Sequence, residues 1–129
     1  MLLVGKTEPP RVESGSIYVT DYAPYSELLS RAAATVHQGG IGTVAQALKA
    51  GRPTLVVPWA HDQPDNAARC RRLGLARIVR RDEYKWEVVA RELDRLLGDA
   101  RYASRAREMA ERLAEEDGVS AACSALLAD

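Results

Sequence analysis

Residues 36–66 read VHQGGIGTVAQALKAGRPTLVVPWAHDQPDN, and this stretch decides the fold. An apolar run from Ala32 to Val36 ends in the polar cluster His37-Gln38-Gly39-Gly40. Ile41-Gly42-Thr43 then opens a helical pattern in which Val44, Ala47 and Leu48 share one face. Gly51, with Pro53 just beyond, predicts the end of that helix. A second apolar run, Thr54 to Val57, closes at Pro58-Trp59, and His61-Asp62-Gln63 opens the next helix. The order is strand, glycine loop, helix, strand, polar loop, helix.

The loop has two readings. Glycine at positions 39, 40 and 42 lets backbone amides approach a ligand closely and converge on it. The helix start behind them points further unpaired N–H groups, and its positive dipole end, at the same spot. An anion is the natural ligand there, phosphate most often. The same glycines would also serve a tight strand-to-helix turn with no ligand at all. The spacing matches neither the Gly-Lys-Ser/Thr phosphate loop nor the dinucleotide fingerprint. The loop alone leaves both readings open.

Toward the N-terminus, Met1 to Gly5 predicts a short buried strand, Lys6 to Gly15 a polar loop around Pro9-Pro10, and Ser16 to Thr20 a second strand. Tyr22 to Tyr25 is a loop, and Pro24 suits the first turn of a helix reaching Arg31, with Leu28 and Leu29 toward the sheet. Toward the C-terminus, a helix from Gln63 to Leu73 stops at Gly74, and Ala76 to Val79 is the fifth strand. Strands alternating with helices at this spacing predict an α/β fold with a Rossmann-like parallel sheet and flanking helices. Ligands of such sheets sit beyond the carboxyl ends of the strands. Tyr22–Tyr25, Gln38–Thr43 and Trp59–Gln63 all follow strand ends and should share one rim. From about Tyr84 a helical tail follows, with three predicted apolar faces: Val88, Val89, Leu93, Leu96, Leu97; then Tyr102, Ala106, Met109, Ala110, Leu113; then Val119, Ala122, Cys123, Leu126, Leu127. The charges between them alternate in sign, as on a solvated face with i,i+4 pairs.

The length of 129 residues bounds the chain to one domain, residues 1–129. With 18 basic and 18 acidic residues the net charge is zero, which gives no global reason to expect nucleic acid or a membrane surface as partner. No apolar run approaches the ~20 residues of a spanning helix, and Lys6 and Glu8 interrupt the start where a signal peptide would be apolar. The expected location is the cytoplasm, with Cys70 and Cys123 as free thiols. No Cys/His cluster has ligand spacing, so no metal is expected.

Taken whole, residues 36–66 resemble the nucleotide-sugar signature of GT-B-fold glycosyltransferases that use UDP- or TDP-sugars, the UDP-glucosyl, glucuronosyl and antibiotic (macrolide) enzymes among them. That signature runs His-x-Gly-x-Gly-Ser/Thr-x-x-Glu, a helix ending in Gly-x-Pro, an apolar strand ending in Pro, then Asp/Glu-Gln-x-x-Asn. Gly40, Gly42, Thr43, Gly51, Pro53, Pro58, Asp62, Gln63 and Asn66 match it without a gap. The resemblance implies diphosphate binding at His37, Gln38, Gly39, Gly40, Ile41, Gly42 and Thr43. It implies base and ribose binding at Tyr22, Ala23, Tyr25 and Gln46, and sugar binding at Trp59, Asp62 and Gln63. Two positions depart from the pattern. The family's phosphate-contacting histidine falls on Gln38, with His37 one place earlier, and its ribose-binding glutamate falls on Gln46. A glutamine amide can donate to a phosphate, yet it brings no positive charge to a leaving diphosphate. Tyr22 fits either stacking on a base or packing over the sheet end. Asp62 fits either a sugar hydroxyl or a helix N-cap.

The function implied is donor binding for transfer of a hexose from a nucleoside-diphosphate sugar to an acceptor hydroxyl, with no other cofactor. The resemblance assigns the acceptor site and catalytic base to an N-terminal domain that this chain lacks. No catalytic residue is therefore expected here, and the chain alone should be inactive. It also implies an absent middle strand in a 3-2-1-4-5-6 sheet. The strands at Leu2 and Val36 would flank that gap. Either they close up and pair, or another chain, a second copy included, covers the defect. The alternative to an enzyme fragment is a non-catalytic subunit or binding module that completes a split glycosyltransferase.

Overall fold

The computed structural model describes residues 1–4 and 15–128. The predicted loop around Pro9-Pro10, and Gly5 at the end of the first predicted strand, lie outside the described residues. The chain runs β1 (Leu2–Leu3), β2 (Val19–Thr20), α1 (Tyr25–Leu28), a 3₁₀ turn (Leu29–Arg31), β3 (Thr35–His37), α2 (Ile41–Lys49) and β4 (Thr54–Val56). It continues through α3 (Gln63–Arg72), β5 (Ala76–Ile78), a second 3₁₀ turn (Arg81–Glu83), α4 (Trp86–Gly98), α5 (Ala100–Ala114) and α6 (Gly118–Leu127).

The core is built on β4. Its sequence is a continuous apolar run because both of its faces are covered, as in the middle of a parallel sheet. Strand pleating sends successive side chains to opposite sides. Val56 therefore joins Val44, Ala67, Cys70 and Ala76 beneath α2 and α3. Leu55 and Val57 join Val79 and Leu96 beneath α4. β3 and β5 pair with β4 in parallel, with Val36 opposite Leu55 and Leu55 opposite Arg77. The result is the predicted layered arrangement of helices on both faces of a parallel sheet.

β1 and β2 form a separate parallel pair, so the sheet is split. The expectation that the strands at Leu2 and Val36 close up and pair is overturned. The hydrogen bonds show why an open edge remains on each side. Thr35 N–H donates to Pro53 C=O (3.0 Å) and Val57 N–H donates to His37 C=O (2.9 Å), so Thr35 and His37 face β4. Val36, between them, turns its amide and carbonyl to the opposite edge. Likewise Leu2 N–H donates to Tyr18 C=O (2.7 Å) and Val4 N–H to Thr20 C=O (3.1 Å), which leaves Leu3 facing away from β2. β3 is held in place by its ladder to β4 and by Ala34 in the core, whereas β1 is tied to β2. A cavity of about 600 Å³ lies between the two edges, lined by Leu2, Leu3, Leu29, Val36 and Val57 among others. The first strand is accordingly not buried as expected: Leu2 is 43% exposed.

The C-terminal helices divide. α4 packs on the sheet and α5 packs on α2 and α4; Leu96 and Ala106 are buried. Leu97, placed on the α4 apolar face by its sequence pattern, is instead exposed. The buried position is Glu92, a residue the charge pattern assigned to solvent. Its carboxylate accepts from Arg77 of β5 and from Arg95 (2.9 Å), and Arg77 also donates to the Tyr102 hydroxyl (3.2 Å). The third predicted face, on α6, covers nothing: Val119, Leu126 and Leu127 are all exposed. No helix among the described residues is long and apolar enough to cross a membrane.

Burial alone would raise the Glu92 carboxyl pKa, but the hydrogen bond and charge of Arg77, helped by Arg91 and Arg95, outweigh it and hold the group below its ordinary range. The ionised network is thus a stabilising contact at neutral pH that is lost as pH falls through the acid range. Glu92→Gln should lower the unfolding free energy by about 1–3 kcal/mol, as read from urea denaturation at pH 7. The difference from the parent should shrink toward pH 3.

Candidate functional site

The loop after β3 is set by Gly39. Its φ is +92°, and a Cβ there would stand 2.8 Å from Val56 Cγ1 and 3.3 Å from the Gln63 carbonyl. Only glycine fits this turn. Its N–H donates to His37 Nδ1 (3.0 Å), so Nδ1 carries no proton. The imidazole proton is then on Nε2, which lies 2.8 Å from Thr54 Oγ1, and that hydroxyl donates onward to Thr35 C=O (3.3 Å). Burial pushes the His37 pKa down to about 4, so the ring is neutral at pH 7. Both ring nitrogens thus serve the turn.

Gly40 occupies the N-cap of α2 with extended dihedrals and offers no side-chain cap. The N–H groups of Ile41, Gly42 and Thr43 thus have no intrahelical partner. Gly42 has nothing within 4 Å of where a Cβ would sit, so its side faces open space. Gln38 is exposed, and its Nε2 lies 3.4 Å from the Cβ position of Gly40.

The polar loop after β4 closes on the glycine loop. The Asn66 amide donates to Gly39 C=O (3.0 Å) and to Asp62 Oδ2 (2.7 Å). Gln63 Oε1 accepts from the backbone N–H groups of Trp59 (2.8 Å) and Ala60 (3.2 Å), which leaves its NH₂ as the end free to bind. Asp62 occupies the N-cap position of α3 but makes no side-chain cap bond to it. His61 is exposed with φ of +58°, and Trp59 is half exposed with the Arg81 guanidinium 4.4 Å above its ring.

Tyr25, His37, Gln38, Thr43 and Trp59 line the cavity between the two sheets, together with Tyr84. These residues, predicted from separate loops, do share one rim. Tyr22, Ala23, Gln46 and Ile41 do not line it, and Tyr22 is 75% exposed. Asp62 and Gln63 stand outside the cavity wall, but Asp62 is joined to the glycine loop through Asn66 and Gln63 lies directly against Gly39. Sequence reasoning missed Thr54 as the partner of His37, and Arg81 and Tyr84 at the rim. A threonine opening an otherwise apolar strand was the available signal for the first.

Residues 9–125 match the family described as erythromycin biosynthesis protein CIII-like, C-terminal domain. The chain is 41% identical over 124 residues to an O-mycaminosyltylonolide 6-deoxyallosyltransferase of Streptomyces fradiae, covering 95% of this chain and 29% of that protein. Among solved structures, the glycotransferase of kitacinnamycin superposes with a TM-score of 0.88 at 25% identity, over 97% of this chain and 33% of that one. The glycosyltransferase VinC in complex with DTDP superposes at 0.82 and 25% identity, over 88% of this chain and 29% of that one. The chain thus spans about a third of the length of these three proteins.

Two measurements check the loop. Gly39→Ala should cost about 1–3 kcal/mol of stability from the forced φ, with the Val56 contact adding to it. Gly42→Ala, at an open helical position, should cost nothing and can gain up to ~1 kcal/mol from helix propensity. Chemical denaturation of both variants separates the two glycines. The second concerns pH. The folded His37 pKa lies below its unfolded value of 6.5, so the unfolded state binds more protons between about 6.5 and about 4. Its contribution is intact above that window and falls by up to ~1.4 kcal/mol per pH unit within it. A His37→Gln variant should lack that component of the slope.

Proposed function

Because the chain belongs to the erythromycin biosynthesis protein CIII-like C-terminal domain family of GT-B glycosyltransferases, we propose that residues 1–129 form one partial domain that binds the nucleoside-diphosphate sugar of a hexosyl transferase. The observation that carries this reading is the uncapped start of α2. It sits behind the Gly39 turn, beside a cavity lined by Tyr25, Gln38, Thr43 and Trp59. Unpaired N–H groups at a helix start favour a phosphate oxygen, and here no side chain blocks the approach at Gly42.

In this reading the diphosphate rests on the N–H groups of Ile41, Gly42 and Thr43, with the Gln38 amide as a further donor. Tyr22, Ala23, Tyr25 and Gln46 take the base and ribose of a UDP- or TDP-type donor. Trp59, Asp62 and the Gln63 NH₂ take the sugar. An acceptor hydroxyl, deprotonated by a base outside this chain, attacks the anomeric carbon. The bond to the diphosphate oxygen breaks, and the departing charge is met by the α2 amides and dipole. Gln38 donates a hydrogen bond and adds no charge. No cofactor beyond the donor is invoked. The acceptor site and the base are assigned to an N-terminal domain or partner subunit, and the chain alone should turn nothing over. The open edges at Leu3 and Val36 would be covered by that partner or by a second copy of the chain. The free thiols of Cys70 and Cys123 agree with a cytoplasmic setting.

Titration of UDP, dTDP and GDP against the ¹⁵N-labelled chain tests the site. At least one nucleotide should shift the amide resonances of Gly39, Gly40, Gly42 and Thr43, and Gly42→Leu should abolish those shifts while leaving the melting temperature within a few degrees. Unmoved resonances at millimolar nucleotide would sink the assignment.

A further inference from the structure

The Asn66 side chain touches both halves of the proposed site. Its NH₂ has two hydrogens. One goes to Asp62 Oδ2 at 2.7 Å, the other to Gly39 C=O at 3.0 Å. Gly39 is held from its other end by the His37 ring, which accepts the Gly39 N–H at 3.0 Å and is itself braced on Thr54 at 2.8 Å. A single residue at the head of α2 is thus pinned on its amide by β3 and β4 and on its carbonyl by α3. Asp62, assigned to the sugar, is one side chain away from that carbonyl.

We propose that Asn66 is a positioning residue that couples Asp62 to the glycine loop, so that the acid in the sugar pocket sets how well the loop amides are aimed at a diphosphate. Asp62 Oδ1 stays free for a hydroxyl while Oδ2 anchors Asn66. The anchor fixes the amide plane, the amide fixes Gly39 C=O, and Gly39 fixes where α2 begins. Loss of the carboxylate lets the Asn66 amide rotate and releases the turn on its α3 side, leaving the His37 side intact. What the loop holds rests on the donor-site reading above; the hydrogen-bonded link itself does not.

A double-mutant cycle on the ligand-free chain tests the link without nucleotide. In ¹H–¹⁵N spectra, Asp62→Ala should displace the Gly39, Gly40 and Gly42 resonances. Asn66→Ala should do the same, and Asp62→Ala should add nothing on top of it. Asp62→Asn keeps an oxygen acceptor for Asn66 and should restore parental shifts, an outcome that simple loss of fold stability would not give. Additive effects of the two alanine variants, or an Asp62→Ala spectrum unchanged at Gly39–Gly42, would overturn the coupling. A second arm uses UDP, which carries no sugar. Asp62→Ala should weaken UDP about tenfold, and only when Asn66 is present. If the parent binds no nucleotide, the donor-site reading fails and the ligand-free cycle still decides the link. Should a variant fail to fold, Asn66→Ser, which shortens the reach to Gly39, takes its place in the same cycle.

Discussion

Gly39 is wedged between Val56 of the central strand and the first carbonyl of α3, in a backbone conformation closed to other residues. That one steric fit orders much of what surrounds it. It lets the chain leave β3 and enter α2 within a few residues, which brings Val44 and Ala47 down onto the core. It places α3 close enough for Asn66 to reach back across the turn. It also makes demands of its neighbours. The amide that turns inward at Gly39 must find an acceptor, because a buried unpaired N–H is costly. The neutral His37 ring is that acceptor, and its low pKa is the electrostatic signature of the arrangement.

The parts of the fold that local chemistry dictates were legible in the residues. The apolar run at Thr54–Val57, the stop at Gly51 with Pro53, and the helix from Gln63 fall within a residue or so of where their pattern puts them. Parallel pairing followed from the alternation of strands and helices. Convergence of Gln38, Thr43 and Trp59 on one cavity followed from their place after strand ends. What could not be read is what depends on distant partners. His37 looks like a ligand in the sequence because Thr54, its partner, lies on another strand. Glu92 looks solvated because Arg77, which holds it in the interior, sits fifteen residues earlier on β5. The separation of β1 from β3 is a property of tertiary packing, and no local pattern carries it.

The open edges and the rim belong to one architectural feature. Val36, which turns its backbone away from β4, precedes His37 directly, so the edge of the core sheet runs straight into the glycine loop. Anything that pairs with that edge would bring its own following residues up beside Gln38 and Thr43. The glycine loop and the open sheet edge therefore share a boundary.

The exposed leucines of α6 carry a separate consequence. A helix of ten residues has too few backbone bonds to persist in water on propensity alone. Asp117, which accepts from the Ser120 N–H at 3.0 Å, secures its first turn, and the Ala128 N–H closes the last on the Ser124 carbonyl. Its described side chains are all exposed, so packing adds little to its helicity. The far-ultraviolet signal of this segment thus becomes a gauge of occupancy, rising when its oily flank is covered and fading when it is bare.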